Sequence, residues 1–243
     1  MAANWKAYLY KGLWLGLDLI FPPACGGCEK TGVRWCATCQ KNVPKIEKPF
    51  CVVCGLPQIQ KTVCVRCENR RPAYKVLRSW AAFDSPVREA LHKLKYRRDM
   101  ALGEALSAQM AGFLLELDWP LDVLVPVPLG RKRMKERGYN QVAMIAMPLA
   151  EKLNLEYAPR MLARVRETKS QVGLSAEERL KNVGGAFQAS TEIAGKVVLL
   201  VDDVATTGAT LSSGAEALYA SGAADVYAFT AARALARHGL HLV

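Results

Sequence analysis

Short apolar runs alternate with helical patterns in the second half of the chain. Strands are predicted over Asp122–Val127, Lys196–Val201 and Asp225–Ala231. The middle run, KVVLLV, is apolar throughout, which is typical of a parallel strand buried on both faces. Helices are predicted between these strands, over Asn140–Leu153 and Thr210–Ala220. The order strand–helix–strand–helix–strand requires crossover connections, and it therefore predicts an α/β fold with a parallel sheet flanked by helices.

The first residues of the chain have a different pattern, with apolar side chains every four positions: Trp5, Leu9, Leu13 and Leu17. This spacing predicts an amphipathic helix. The apolar run Leu13–Phe21 is shorter than the roughly 20 residues of a membrane span, and no secretory cleavage pattern is evident. We therefore expect a cytoplasmic protein without a transmembrane span. Packing of this helix on the chain's own core is favoured over docking on a membrane surface or a partner.

Composition adds a basic charge to this picture. The 243 residues include 33 Lys and Arg against 22 Asp and Glu, a formal net charge of +11. Such a balance favours polyanionic partners, namely diphosphates, nucleotides or nucleic acid, although a solvated basic surface would also produce it. The length is sufficient for one full core and a small additional module.

Eight cysteines are confined to one segment and form four Cys-x-x-Cys pairs: Cys25/Cys28, Cys36/Cys39, Cys51/Cys54 and Cys64/Cys67. Two thiolates from one tight turn can reach a single metal ion, and two such pairs make a tetrahedral zinc site. One or two structural zinc ions are expected, with the pairs combined either sequentially or interleaved. Disulfides or redox thiols are less favoured, because no export signal is evident and a redox motif usually occurs once. An iron–sulfur cluster is a further, less favoured alternative.

The confinement of the cysteines also predicts how the chain is divided. We expect an N-terminal helix over 1–24, a zinc-binding cysteine module over 25–72 and an α/β domain over 73–243. Helices over Ser85–Leu94 and Leu102–Leu117 are predicted to open the α/β domain.

The segment Val198–Thr210 reads VLLVDDVATTGAT and carries the most specific chemistry. Asp202 and Asp203 follow the apolar strand, and a loop of small residues then leads into a helix: Ala205, Thr206, Thr207, Gly208, Ala209 and Thr210. Backbone N–H groups in such a loop, together with the helix N-terminus, suit a phosphate. The two carboxylates can accept hydrogen bonds from a sugar diol. The segment thus predicts a ribose 5-phosphate site. A tight turn with an Asp cap explains poorly why two aspartates end a buried strand.

Two further segments are candidates for anion contacts. Pro126–Gln141 follows a predicted strand and contains five basic residues: Arg131, Lys132, Arg133, Lys135 and Arg137. It either binds an anion at the carboxyl edge of the sheet or simply begins a charged helix. Arg164–Phe187 is a long polar connection with three glycines, which is typical of a lid. Lys169, Gln171 and Arg179 could reach a diphosphate from it, and an ordinary exposed loop is the alternative.

The thirteen residues Val198–Thr210 resemble the phosphoribosyl diphosphate (PRPP) signature of type I phosphoribosyltransferases. The resemblance implies that Asp202 and Asp203 contact the ribose 2′- and 3′-hydroxyls, and that the loop over 205–210 holds the 5-phosphate. It also implies Mg²⁺ with PRPP and a pyrophosphate loop formed by Leu129, Gly130 and Arg131. Members of that family have a hood that selects the acceptor. None is identified here, and the cysteine module is the candidate for its place.

The four cysteine pairs, the segment PVPLGRKRMKERGYNQ and the sequence VDDVATTGAT together resemble the ComF family of bacterial competence proteins. The resemblance covers nearly all of the chain from Cys25 onward. It implies a role in DNA uptake during natural transformation, handling of single-stranded DNA (ssDNA), and contact with a competence helicase or other DNA-uptake proteins.

Two main hypotheses follow. In the first, the protein is a phosphoribosyltransferase that works by positioning and charge stabilisation on an acceptor that stays undefined. In the second, it is a non-catalytic ssDNA-binding module, with phosphate contacts from Arg131, Lys132, Arg133 and Arg137 and stacking on exposed aromatic rings such as Trp35 and Tyr139. A PRPP-sensing regulator is less favoured, because no helix-turn-helix pattern is seen.

Overall fold

The computed structural model describes residues 22–60, 62–97, 99–166 and 184–235. The amphipathic pattern of the first 17 residues lies outside these ranges, as do the candidate lid residues Lys169, Gln171 and Arg179. Within the described ranges, no helix is both long and apolar enough to cross a membrane. The division of the chain at residues 24 and 72 stays a prediction.

The described residues form seven strands, arranged in one parallel sheet and one small antiparallel sheet. They are β1 Val76–Ala82, β2 Val123–Pro126, β3 Glu156–Tyr157, β4 Leu162–Arg164, β5 Phe187–Ala189, β6 Val197–Ala205 and β7 Asp225–Arg233. The main sheet has the order β1-β7-β6-β2-β3 with every pairing parallel, and β4 pairs with β5 in antiparallel fashion. The predicted parallel sheet is confirmed, and β6 is its central strand.

The described helices are α1 Ala37–Lys41, α2 Val65–Asn69, α3 Val87–Tyr96, α4 Met100–Leu115, α5 Arg131–Arg137, α6 Gln141–Leu153 and α7 Ala209–Ala220. Helix α6 begins after Asn140, whose side chain accepts a hydrogen bond from the Val142 N–H at 3.0 Å, and it ends at Asn154 in the left-handed conformation. Both are common helix boundaries, which explains why the predicted helix is accurate here.

The predicted strand over Lys196–Val201 is too short. Strand β6 continues to Ala205, because β7 continues to Arg233 and supplies partners for it: Asp202 pairs with Thr230 and Ala205 with Arg233. Both aspartates therefore lie inside the strand rather than after it. Since side chains alternate along a strand, Asp202 and Asp203 face opposite sides of the sheet.

Two hydrophobic layers cover the sheet. Helices α3, α4 and α6 pack on one face, where Leu91, Leu106 and Ile145 meet Phe229 of β7. The other face is covered by α7 and also by the second half of the cysteine module, which contributes Val53, Cys51 and Cys54 to the same core as Leu200. The second cysteine group is therefore part of the core of the α/β fold.

The first cysteine group packs beside the other layer. Trp35 lies 6.3 Å from Trp80 of β1, measured between ring centroids. A Cβ added to Gly26 would lie 2.5 Å from the Leu102 side chain, and one added to Gly27 would lie 2.5 Å from Pro86. The chain between Cys25 and Cys39 is thus held against the helical face of the α/β fold.

Candidate functional site

Asp203 is buried at the carboxyl end of β6 and has three partners. The Lys95 Nζ lies 2.9 Å from its Oδ2, the Gln141 Nε2 donates to the same oxygen at 3.2 Å, and the Val204 N–H donates to its Oδ1 at 2.8 Å. Burial alone would raise the pKa of Asp203, but the charge of Lys95 and these hydrogen bonds lower it below its ordinary value. Asp203 is therefore an ionised, fixed acceptor.

Asp202 has the opposite electrostatic environment. It is partly buried, and its Oδ1 accepts a hydrogen bond from the Asp203 N–H at 2.8 Å. Burial and the negative charge of Asp203 raise the pKa of Asp202 well above its ordinary value. Adjacent carboxyl groups with opposite shifts are common at functional sites, because one of them is poised to change its charge when a ligand arrives.

The loop that follows β6 is positioned by the cysteine module. Gly208 has a φ of +80° and precedes the first residue of α7, so the helix starts without a capping side chain. The Tyr74 hydroxyl lies only 2.8 Å from where a Cβ on Gly208 would be. Arg66 of α2 donates a hydrogen bond from its Nη2 to the Thr207 carbonyl. Arg66 lies between the zinc-ligand candidates Cys64 and Cys67, so the module directly contacts the predicted phosphate loop.

A cavity of about 80 Å³ lies between this loop and the cysteine module. Three arginines line it, Arg66, Arg70 and Arg71, and they face Thr207 and Ser212 on α7 and its loop. Glu216 also lines the cavity and reduces its positive charge. Arg70 and Arg71 belong to the basic segment ENRRP directly after the last cysteine pair, a pattern from which they could have been predicted.

The predicted pyrophosphate loop follows β2, which neighbours β6, so it lies at the same edge of the sheet as the aspartates. Leu129 is partly buried and Gly130 is the N-cap of α5. Arg131, Lys132 and Arg133 are exposed on α5, which has no buried residue. The position of these residues is compatible with an anion at this edge.

Arg137 and Tyr139 are held by the protein itself. The Arg137 Nη1 donates to the Gln141 Oε1 at 2.8 Å, and the Tyr139 hydroxyl donates to the Leu94 carbonyl at 2.7 Å. Trp35 likewise donates from its Nε1 to the Gln40 Oε1 at 2.8 Å. The expectation that Trp35 and Tyr139 are exposed rings is wrong, because both are partly buried by these contacts.

Two residues of the site were missed by sequence reasoning. Gln141 and Lys95 both contact Asp203, and a chain of contacts runs from Arg137 through Gln141 to Asp203 and Lys95. Gln141 ends the RGYNQ segment and Lys95 lies in the basic stretch that ends α3. Neither sequence segment indicates that its residue contacts Asp203, because each residue reaches Asp203 only after its helix packs on the sheet.

The cysteines form two groups of four in sequential order: Cys25, Cys28, Cys36 and Cys39, then Cys51, Cys54, Cys64 and Cys67. In each group the four sulfurs lie within 4.8 Å of one another, which decides between the sequential and interleaved alternatives. None of the eight forms a disulfide, and all but Cys28 are buried.

The sulfur geometry fits zinc. Sulfur–sulfur distances of 3.6 Å (Cys25–Cys39) and 3.7 Å (Cys54–Cys64) approach the roughly 3.8 Å edge of a tetrahedron with Zn–S bonds of about 2.3 Å. They are much longer than the roughly 2.05 Å of a disulfide. Backbone N–H groups also donate to the sulfurs: Cys36 to Cys25 at 3.4 Å, and Cys64 to Cys51 at 3.3 Å. Such donors stabilise thiolates, and the two groups are thus zinc-binding sites.

Comparisons with known proteins agree with this architecture. Residues 16–68 match the double zinc ribbon domain family, and residues 142–241 match the phosphoribosyl transferase domain family. The DNA utilization protein YhgH of Escherichia coli (strain K12) is 32% identical over 207 residues, which cover 82% of this chain and 90% of that protein. Competence protein ComFC of Bacillus subtilis (strain 168) is 30% identical over 214 residues, which cover 84% of this chain and 86% of that protein.

Among solved structures, a glutamine PRPP amidotransferase from B. subtilis complexed with ADP and GMP has a TM-score of 0.37 at 21% identity. The match covers 59% of this chain and 27% of that one. The alignments with these relatives extend over both the zinc ribbon and the α/β domain, and the family assignment rests on them. With its double zinc ribbon joined to a phosphoribosyltransferase domain, the chain belongs to the ComF family.

Proposed function

We propose that the protein binds PRPP with Mg²⁺ at the carboxyl edge of its sheet, and that this binding serves DNA uptake in natural transformation. The observation that carries the proposal is the pair Asp202 and Asp203, which lies near the carboxyl end of the central strand, before the small-residue loop that leads into α7. Ligands of open α/β sheets bind at this edge.

The residues suit the parts of PRPP in order. Asp203, held ionised by Lys95, and Asp202 beside it can accept hydrogen bonds from the two ribose hydroxyls. The N–H groups of the loop over 205–210 and the start of α7 suit the 5-phosphate. Arg131 and the backbone of Leu129 and Gly130 suit the diphosphate. Lys169, Gln171 and Arg179 remain candidates for closing over it.

Mg²⁺ fits this donor set, because carboxylate oxygens and phosphates are its usual ligands. When bound, it would neutralise charge on the diphosphate. Burial and the charge of Asp203 raise the pKa of Asp202, and a cation beside it would favour its ionised form.

The link to DNA rests on the relatives. YhgH is named a DNA utilization protein and ComFC a competence protein, and this chain covers 86–90% of their lengths. A helicase or another DNA-uptake protein is the partner class proposed for this chain, with a cytoplasmic location.

Binding is tested by titrating PRPP and Mg²⁺ into the zinc-loaded protein by calorimetry. The double variant Asp202→Ala, Asp203→Ala should lose detectable binding. Asp225→Asn is the matched control, because Asp225 begins β7 at the opposite edge of the same sheet and pairs with Lys75. Unchanged PRPP affinity in the double variant would refute the ribose assignment.

Turnover is tested separately. In a transferase, the acceptor forms a bond to C1 as the C1–oxygen bond to pyrophosphate breaks, and pyrophosphate leaves with the electron pair. Pyrophosphate release is therefore measured with PRPP and Mg²⁺, with and without a panel of bases and ssDNA. Release that depends on an acceptor supports an active phosphoribosyltransferase. Tight binding without release supports a protein that uses PRPP as a ligand.

A second candidate function is ssDNA binding, and the arginine-lined cavity favours it. Arg70 and Arg71 are exposed, and the basic helix α5 is exposed at the same sheet edge as the loop. Phosphate contacts make affinity depend on salt, with a slope of about −0.7 per contact for single strands. Arg70→Ala with Arg71→Ala removes two contacts and should reduce the size of that slope by about 1.4, while Lys75→Ala, at the opposite edge, should not. An unchanged slope in the double arginine variant would remove the cavity from this candidate function.

A further inference from the structure

One buried charge has no role in the site described so far. Arg233, the last residue of β7, is fully buried, and none of its three guanidinium nitrogens has a hydrogen-bond partner among the described residues. A guanidinium stays protonated in proteins. An unpaired buried charge is strongly unfavourable, so Arg233 requires an anion close to it.

The backbone of Arg233 is fixed at the edge of the site. Its carbonyl accepts a hydrogen bond from the Phe83 N–H at 2.7 Å, and it pairs in register with Ala205, where the phosphate loop begins. The Ala234 N–H donates to the Ala205 carbonyl at 2.9 Å. The position of the side chain therefore depends directly on the end of β6.

Ala205, the strand partner of Arg233, packs in the same buried cluster as Tyr74 and the second cysteine group. We call this group, which consists of Cys51, Cys54, Cys64 and Cys67, the second ribbon. Burial lowers the pKa of Arg233, while Tyr74, Cys54 and Cys67 raise it and Arg66 lowers it. Burial raises the pKa of Tyr74, so its hydroxyl is neutral, and Arg66 has the same charge as Arg233. The only anions available among these neighbours are the cysteine thiolates.

We propose that Arg233 is the counter-cation of the zinc centre formed by Cys51, Cys54, Cys64 and Cys67. Zn²⁺ with four thiolates has a formal net charge of roughly −2, and all four sulfurs of this centre are buried. A buried dianion needs positive charge beside it, just as the buried guanidinium needs an anion. The guanidinium and the zinc–thiolate centre therefore each supply the opposite charge that the other needs.

The consequence is that the zinc centre organises the phosphate loop. Arg66, between Cys64 and Cys67, binds the Thr207 carbonyl, and Arg233 lies in register with Ala205. The two arginines repel each other unless an anionic centre lies beside them. The second ribbon thus contacts the loop at Thr207 through Arg66, and Arg233 of β7 connects the same centre to the start of the loop at Ala205. Arg233 is a positioning residue in this arrangement.

The first zinc centre provides an internal comparison. Beside it, Lys93 donates to the Cys25 carbonyl at 3.0 Å and pairs with Glu29 at 3.3 Å. Cys28 is exposed, so water also solvates that centre. The first centre has less need for a dedicated counter-cation than the second.

The test measures zinc affinity by chelator competition in the full chain, which should release two zinc ions. Arg233→Met should leave one tight site and weaken the other by about 100-fold or more, the size expected when a buried charge loses its partner. Arg233→Lys should weaken it by less than about 10-fold. Lys93→Met, beside the first centre, should leave the second centre unchanged.

A second readout separates charge pairing from simple packing. In zinc-free, reduced protein, Arg233→Met should raise the melting temperature, because it removes an unpaired buried charge, whereas in zinc-loaded protein it should lower it. A residue that only fills space would lower both. Equal weakening of the two zinc sites, or a lower melting temperature in both states, would overturn the proposal. If Arg233→Met does not fold, the charged variant Arg233→Lys is compared with the uncharged variant Arg233→Gln. Equal zinc affinity in these two variants would also overturn the proposal.

Discussion

Replacing each aspartate of the site by its uncharged isostere should move stability in opposite directions. Asp203→Asn breaks the pair with Lys95 and leaves that ammonium without its partner. Asp202→Asn instead removes a carboxyl group that is disfavoured as an anion by burial and by Asp203. Asparagine keeps the shape of both side chains and one acceptor oxygen, which can still accept the backbone N–H bond that each aspartate receives. The main change in both variants is therefore the loss of charge.

The magnitude follows from the exposure of the pair. Asp203 and Lys95 are 2.9 Å apart, with side-chain exposures of 10% and 25%. Breaking a fully buried pair costs about 3–5 kcal/mol, and an exposed pair contributes about 0–1 kcal/mol. This partly exposed pair should therefore contribute about 2 kcal/mol. At roughly 2–4 °C per kcal/mol for a chain of this size, Asp203→Asn should lower the melting temperature by about 4–8 °C.

The pH dependence distinguishes the two carboxyl groups. The pKa of Asp203 in the folded protein lies below the ordinary 3.8, so its contribution is present above that pH and lost as the pH falls further. The pKa of Asp202 is raised, so its contribution is full below pH 3.8 and is lost as the pH rises through the folded value. Asp202→Asn should hence stabilise the protein more at pH 8 than at pH 5, while the effect of Asp203→Asn stays constant.

The assay is thermal unfolding of the zinc-loaded variants at pH 5 and pH 8, with Asp225→Asn as the control for a surface aspartate. The double variant Asp203→Asn, Lys95→Met should recover part of the loss, because no buried charge is then left unpaired. A lower melting temperature for Asp202→Asn at pH 8, or shifts of equal sign and size for both variants, would show that the electrostatic assignment is incorrect.

Three further outcomes are expected. Gly208→Ala should weaken PRPP binding at least 10-fold, because the φ of +80° and the Tyr74 hydroxyl leave no room for a Cβ. Adding Tyr74→Phe to this variant should restore part of the binding, and calorimetry measures both affinities. Trp35→Ala should destabilise the protein by about 2 kcal/mol through lost packing on Trp80, without changing PRPP affinity, as denaturant unfolding and calorimetry can check. Chelation of zinc under reducing conditions should both lower the melting temperature and weaken PRPP binding, because the second ribbon holds the loop. Unchanged PRPP binding in zinc-free protein would contradict this.

Local pattern was sufficient for much of the α/β fold. The central strand, helix α6 and helix α7 were predicted to within a few residues, because continuous apolar runs and helical spacing with capping residues are properties of short segments. Strand β1 was not predicted. It reads VLRSWAA, and its polar Ser79 is buried only because its hydroxyl lies 2.6 Å from that of Thr230 on β7. A polar residue within a strand is acceptable when a partner from another strand satisfies it, which a local pattern does not show.

By itself the sequence determined the chemical groups: two aspartates before a small-residue loop, four Cys-x-x-Cys turns and a basic segment after a strand. Their spacing is local, so their chemistry can be inferred without a fold. The tertiary structure alone decided which groups act on each other. Lys95 and Gln141 fix the charge of Asp203 from separate helices, and the cysteine pairs combine in sequential order. Ala205, the strand partner of Arg233, packs in the same core as the second ribbon. Charges in a buried site depend on neighbours that are distant along the chain, and only packing brings those neighbours together.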